Sequence, residues 1–507
     1  MTRAAPIKSV AIIGGGTAGW MTAAALSRTL DTRQTSVTLI ESEQIGTVGV
    51  GEATLPNIAT FNRMLGIDEP AFMAATHATI KYGIEFVDWG QKGESYFHPF
   101  GTHGADMDGI SFHHYWRALK SRDPNTPPIE SFCMTAMAAA AGKALMPQRD
   151  PRSPLSRLAY AFQFDATAYA AYLRDYSEAR GVSRREGKVV DVSLRKNDGF
   201  ISSVTMMDGT EIKADLFIDC SGFRSLLLGK ALGTDYDDWS HYLPVNSAQA
   251  VPCEKVSPAL PYTRCTAKRA GWQWRIPLQH RTGNGYVYAS DYIDDDAVTT
   301  ELLGSLGGTP TGEVKQLRFT TGQRKDFWVK NCIGLGLSAG FLEPLESTSI
   351  YLIQTGITKL LALFPDSDFK SVERDEYNKI MHKEFEQVRD FLMLHYIATK
   401  RNDDAFWDYV RTMPVPDSLQ NKLDLFKGNG RFFRYDGDLF TETSWVAVFL
   451  GQNIMPEGYN PLVDAIEPQQ LQDSLGSMQN AIAKAARAMP SHEDFLKQYG
   501  AISTRQS

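Results

Sequence analysis

Lys81 stands in Ala78-Thr79-Ile80-Lys81-Tyr82-Gly83-Ile84, an apolar and β-prone run in which a charged side chain is unexpected. Either its stem crosses the core so that the ammonium reaches water, or the ammonium sits in a dry place where it donates a hydrogen bond or gives up its proton. The segment Gly340-Phe341-Leu342-Glu343-Pro344-Leu345-Glu346-Ser347-Thr348-Ser349-Ile350 offers complementary chemistry, with a carboxylate at Glu346 able to stabilise positive charge or accept a proton. Two glutamates around a proline are also what a solvated helix start looks like. Trp272 and Trp274, in Trp272-Gln273-Trp274-Arg275-Ile276-Pro277, lie two residues apart on an extended segment and project to one side. They make either a bulky wall or an ordinary strand with two core-facing indoles.

The elements that must position these groups begin at the N-terminus. Val10 to Ile13 form a short strand ending at Gly14-Gly15-Gly16-Thr17-Ala18-Gly19, and Met21 to Leu26 read as helix. In this strand-turn-helix setting Gly14 permits the turn, Gly16 lets backbone approach a pyrophosphate and Gly19 allows close helix packing; the helix N-terminus favours the anion. Val37 to Ile40 make the next strand, ending in Glu41, a carboxylate placed to accept from ribose hydroxyls. The pattern predicts a bound dinucleotide without separating FAD from NAD. After Val189 the pattern becomes antiparallel hairpins with turns at Asn197-Asp198-Gly199 and Asp208-Gly209, and Asp215 to Asp219 return to a buried strand. Helical patterns such as Glu376 to Lys400 and Gln469 to Ala488 dominate beyond Ile350.

Taken together these motifs resemble the flavin-dependent halogenases, the tryptophan halogenase family, in its indole-halogenating type. The resemblance runs from Val10 to about Tyr459. It implies an α/β fold, a Rossmann-like FAD-binding fold with mixed sheets and a mostly helical C-terminal lobe. Residues 1–350 would be the FAD-binding and catalytic lobe, in pieces if need be, and 351–507 a helical lobe covering the substrate site. FAD would contact Gly14, Gly16, Thr17, Ala18, Gly19 and Glu41. Val50, Gly51, Glu52 and Ala53 resemble the loop beside the isoalloxazine, and Ser221 and Gly222 the small-residue turn that meets the cofactor again, with Val190 and Ile350 completing the set. Trp272 and Trp274 would shield the flavin from organic substrate.

The resemblance makes Lys81 and Glu346 the catalytic pair. It implies that reduced FAD and oxygen give a flavin hydroperoxide, that halide (chloride or bromide) attacks it, and that hypohalous acid is relayed to Lys81. There the lysine hydrogen-bonds the acid or forms a haloamine. Glu346 would hold the donor and take the proton of the ring intermediate. Backbone amides of Thr348 and Ser349 are the expected halide contacts; the family commonly has glycine at the second position, so Ser349 departs from the pattern. His98, Phe100 and Trp445 would hold a small aromatic substrate of indole type, and the region around Arg431 to Tyr435 shows no match to the polar lid that grips free tryptophan. No second glycine fingerprint is evident, so FADH2 is expected from a separate flavin reductase. The alternatives are a flavin-dependent aromatic monooxygenase and a non-catalytic FAD redox protein.

Composition narrows the class further. The 507 residues are 43% hydrophobic and 22% charged, with a formal net charge of -7 spread along the chain, which points away from nucleic acid and membrane partners. Five scattered cysteines without a Cys-x-x-Cys pair predict neither disulfides nor a zinc site and suit a reducing cytoplasm. No apolar signal segment opens the chain. His113-His114 are read as structural, on different faces and without acidic partners, so no metal is expected.

Overall fold

The structure, a computed structural model, describes residues 4–43, 51–435 and 437–502. Strand β1 (Ser9–Ile13), helix α1 (Thr17–Thr29) and strand β2 (Ser36–Glu41) open the fold. β1 pairs in parallel with β2 on one side and with Leu216–Asp219 on the other, setting Ile13 beside Ile40 and Asp219. Val10 to Ile13 are all buried, as a central parallel strand covered on both faces must be. The full sheet has the order Trp328–Val329, Cys332–Gly334, Leu216–Asp219, β1, β2, Ser183–Glu186, parallel except at the Trp328–Val329 edge. Val189–Leu194, Ile201–Met206 and Glu211–Lys213 form the expected antiparallel hairpins. Their apolar face, Ile201, Val204 and Met206, packs with Ala11, Ile13 and Phe217 of the parallel sheet in a small core of its own.

Five further strands position the site: β3 (Gly51–Ala53), β4 (Thr79–Lys81), β5 (Gly83–Val87), β6 (Ser95–Pro99) and β7 (Ala161–Asp165). β7 lies between β3 and β4 in a three-stranded antiparallel sheet, so Thr54 and Lys81 lie at the same end of the two strands that flank β7. One residue after β4 the chain enters a seven-stranded sheet, in the order Lys315–Arg318, Ser247–Glu254, Arg281–Tyr288, Gly271–Pro277, Thr263–Lys268, β5, β6. The β5–β6 hairpin sets Ile84 opposite His98, and the Phe100 amide donates to the Tyr82 carbonyl at 2.9 Å. The chain thereby returns to Lys81.

Beyond Phe341 no strand forms among the described residues, and Ser371–Ile397 and Pro468–Ala488 are the long helices. One continuous core runs from Trp20 and Ile58 through Tyr82 and Trp272 to Leu360, Phe391 and Trp445. The architecture is mixed α/β with a Rossmann-like parallel sheet. No described helix is long and apolar enough to cross a membrane, and all five cysteines are buried and unpaired.

Candidate active site

Lys81 does not reach water. It is fully buried, and its Nζ donates to the Ser347 hydroxyl at 2.8 Å and to the Thr54 carbonyl at 3.2 Å. The Phe100 ring lies 5.1 Å from the same nitrogen. Burial pulls the Lys81 pKa down to about 7, with the negative charge of Glu346 acting against that fall. An ammonium with two acceptors has one N–H left over. The buried lysine is therefore both a donor and, near neutral pH, half ready to lose its proton.

Glu346 ends a short 3-10 turn, Pro344–Glu346, whose proline occupies the first position, where a missing N–H costs nothing. Ser347 follows with φ 60° and ψ 36°, a left-handed conformation that an ordinary side chain holds only when its surroundings dictate it. That twist turns the Ser347 hydroxyl toward Lys81 while Glu346 points to two histidines. His98 Nδ1 lies 3.0 Å from each carboxylate oxygen, and His395 Nε2 lies 2.8 Å from Oε1, off the line of a good hydrogen bond. Burial alone would raise the Glu346 pKa, but the two imidazoles overcome it and bring it down to about 2. The carboxylate stays ionised in a dry site.

The next residue, Thr348, is the N-cap of the 14-residue helix Ser349–Ala362, which has no side-chain cap and no acid in its first turn. The Thr348 hydroxyl is buried without a partner. Ser349 is half-buried and Ile350 is buried. Such a helix start offers free amides and a positive end to an anion.

The residues of the N-terminal glycine turn fit a dinucleotide. Gly14 has φ 113°, and a Cβ there would meet the Cys220 carbonyl oxygen at 2.1 Å; one at Gly19 would meet the Gly14 oxygen at 1.9 Å. Beside Gly16 the space is open, and α1 begins at Thr17 and Ala18 with no side-chain cap and no acid in its first turn. The cradle suits a pyrophosphate. Glu41 closes β2, but its oxygens already take Arg184 Nε at 2.5 Å and Trp20 Nε1 at 3.3 Å. Ser221 donates to Asp219 at 2.6 Å and Gly222 opens the turn beyond it. Gly51 and Ala53 are buried in β3, where burial pushes the Glu52 carboxyl up to about 7. Val190 is 56% exposed on its hairpin. Val50 lies outside the described residues.

Trp272 and Trp274 sit on one face of Gly271–Pro277, both buried, with ring centroids 6.0 Å apart. Gly285 stands opposite Trp274 in the neighbouring strand, and a Cβ there would meet the indole at 2.0 Å. This explains the glycine in Gly283-Asn284-Gly285-Tyr286. Trp274 Nε1 is buried without a partner, whereas Trp272 Nε1 donates to Glu343 at 3.3 Å.

The aromatic residues gather in layers. His98 meets Phe391 at 5.6 Å and Phe100 at 6.5 Å, Phe391 stacks on Phe440 at 3.8 Å, and Trp445 meets Phe391 at 5.0 Å and Phe432 at 5.4 Å. Trp445 thus shares Phe391 as a neighbour with His98. A cavity of about 330 Å³ lies nearby, lined among others by His103, Asp106, Arg157, Arg434 and Glu442. Glu442 is already engaged by His113 at 3.1 Å and Ser111 at 3.0 Å. Contrary to the expectation of different faces and no acidic partner, the rings of His113 and His114 lie 4.1 Å apart and Glu442 pairs with His113. Among the described residues no cluster of potential metal ligands forms.

His395, Ser347 as the lysine's acceptor, and Glu343 join the site without being singled out by their sequence context. The signal for His395 was its place four residues after Phe391 on a buried helix face.

The profile of the tryptophan halogenase family matches residues 9–468. This chain belongs to the tryptophan halogenase family. It is an enzyme of the flavin-dependent halogenase class. The tryptophan 6-halogenase SttH of Streptomyces toxytricini is 34% identical, over 97% of this chain and 98% of its own. Among solved structures, BrvH, a flavin-dependent halogenase from Brevundimonas sp. BAL3, superposes with a TM-score of 0.94 at 44% identity, over 97% of this chain and 99% of its own. A flavin-dependent halogenase from Xanthomonas campestris gives 0.95 at 43%, over 99% and 100%.

Proposed function

We propose that this halogenase acts on an electron-rich aromatic ring, indole or an indole with an apolar substituent, using FADH2 delivered by a separate flavin reductase. Bound reduced FAD with oxygen supplies the two-electron oxidation of halide to hypohalous acid. The cradle of Gly14, Gly16 and Gly19 holds its pyrophosphate, and Trp272 and Trp274 keep the organic substrate away from it. The free amides of Thr348 and Ser349 hold the halide.

The single observation that carries the reading is the meeting of Lys81, Ser347 and Glu346, a lysine and an ionised carboxylate brought together out of water. Thr54 and Ser347 take two N–H groups of Lys81, and the third donates to the oxygen of hypohalous acid. That bond draws electrons from the halogen, and in a dry site it acts with little screening. The ring carbon attacks the halogen, the oxygen–halogen bond breaks, and the departing hydroxide takes the third proton of Lys81 to leave as water. Glu346 stabilises the cationic ring and removes the proton from the halogenated carbon. His98 and His395 keep that carboxylate charged.

The substrate class follows from charges already committed. Of the acids lining the cavity, Glu442 is paired with His113 and Ser111 and Asp106 accepts from the Phe112 amide, so a free amino acid would lose hydration without full compensation. Mass spectrometry of indole incubated with the protein, FAD, reductase, NADH and bromide tests the proposal. A monobrominated product supports it, and hydroxylated or unchanged indole contradicts it.

A further inference from the structure

Glu343 takes no part in the chemistry given to Lys81 and Glu346, yet it is equally buried. Its Oε1 accepts from two donors on separate elements, the Tyr396 hydroxyl at 2.6 Å and Trp272 Nε1 at 3.3 Å. Its Oε2 has no partner. Burial pushes its pKa up to about 8, so at neutral pH the group is mainly an acid whose proton belongs on Oε2. Tyr396 is the residue after His395, which touches Glu346, on the helix Ser371–Ile397. Glu343 itself precedes the turn that ends in Glu346. One side chain therefore joins the indole wall, the helix of His395 and the turn of Glu346.

We infer that Glu343 is a positioning residue, a hydrogen-bonding anchor that fixes the Trp272 indole relative to the Lys81–Glu346 pair and so sets how much hypohalous acid is captured rather than lost. Without that acceptor the Trp272 N–H is left unpaired and the ring loses the bond that fixes its orientation. The wall then changes shape. The inference rests on the halogenase reading above and concerns the partition of oxidant, not its formation.

The test compares Glu343→Gln, Glu343→Leu and Tyr396→Phe in the full chain with FAD, reductase, bromide and indole. Product and oxidant trapped by taurine in solution are measured together. Their sum reports oxidant formation, and a wild type with no oxidised bromide would defeat the halogenase reading itself. The fraction appearing as product reports the anchor. Glutamine keeps an acceptor oxygen for both donors, so its fraction is expected within about twofold of wild type. Leucine removes the acceptor, and its fraction is expected to fall several-fold while the sum holds. Near-ultraviolet circular dichroism of the protein without FAD should follow the same order, because the Trp272–Trp274 pair is close enough for its signal to depend on ring orientation. If leucine prevents folding, Tyr396→Phe takes its place, with a leak of about twofold or more expected from losing one donor. A leak in Glu343→Gln as large as in Glu343→Leu overturns the inference, and so does a leucine or phenylalanine variant as well coupled as wild type.

Discussion

His98 Nδ1 stands 3.0 Å from both carboxylate oxygens of Glu346, and neither side chain meets solvent. This pairing explains how a carboxylate remains ionised where burial alone would neutralise it. In the wild type Glu346 should stay charged down to about pH 2, so it imposes no loss of activity in mild acid. Replacing His98 by leucine removes the strongest force opposing burial and leaves His395 to hold the charge, so the folded pKa rises and the acid limb of halogenation moves upward by about one unit or more. Glu346→Gln should cost on the order of 10² in turnover at any pH. Single-turnover rates across pH check both; an unmoved acid limb in His98→Leu would contradict the pairing's role.

Lys81→Ala is expected to abolish product while flavin reoxidation continues, because the proposed mechanism uses the lysine only after halide is oxidised. Hypohalous acid should then accumulate in a scavenger. The pH dependence carries a sign. The ammonium donor is lost as pH rises through about 7, the value to which burial lowers Lys81, so coupling to product should decline above neutrality. A rise over the same range would instead favour attack by the free amine and a haloamine.

His492, at the start of the helix His492–Gln498, holds the backbone next to the lysine. Its Nε2 accepts from the Ile80 amide at 3.1 Å, and its Nδ1 donates to the Ala259 carbonyl at 2.8 Å. Accepting at Nε2 requires the uncharged ring, and burial holds its pKa down to about 4, against 6.5 for a free histidine. Between those values the unfolded chain binds the extra proton. Stability therefore falls as pH drops from about 6.5 toward 4, by about 3 kcal/mol. Glutamine can make both bonds without titrating, so His492→Gln should flatten the Tm profile across this window. Parallel profiles for the two proteins would count against the assignment.

Purified protein with NADH and FAD alone should turn over little, because the one evident glycine fingerprint, Gly14 to Gly19, is assigned to FAD. Adding any competent flavin reductase should restore product. Rapid NADH oxidation by the chain alone would refute the need for a partner.

The parallel sheet was legible because β1, the glycine turn and β2 are local and each carries its own hydrophobic period. Lys81 stood out as a charge in an apolar strand, and Glu346 came with its turn. The grouping around them was not legible. Lys81 meets Ser347 across 266 positions, and His98 meets Glu346 across 248. Nothing local to His98 reveals its carboxylate partner, which distant folding supplies. His395 and Glu343 are hidden for the same reason, one inside a helix pattern and the other beside the more conspicuous glutamate.

The most direct test is a side-by-side incubation of wild type and Lys81→Ala with bromide, FAD, a reductase, and either indole or free tryptophan, read by mass spectrometry and initial rates. The account predicts monobromoindole from the wild type, formed faster than any bromotryptophan, and no brominated product from Lys81→Ala despite continued flavin oxidation. Hydroxylated indole, a clear preference for tryptophan, or undiminished bromination by Lys81→Ala would contradict it.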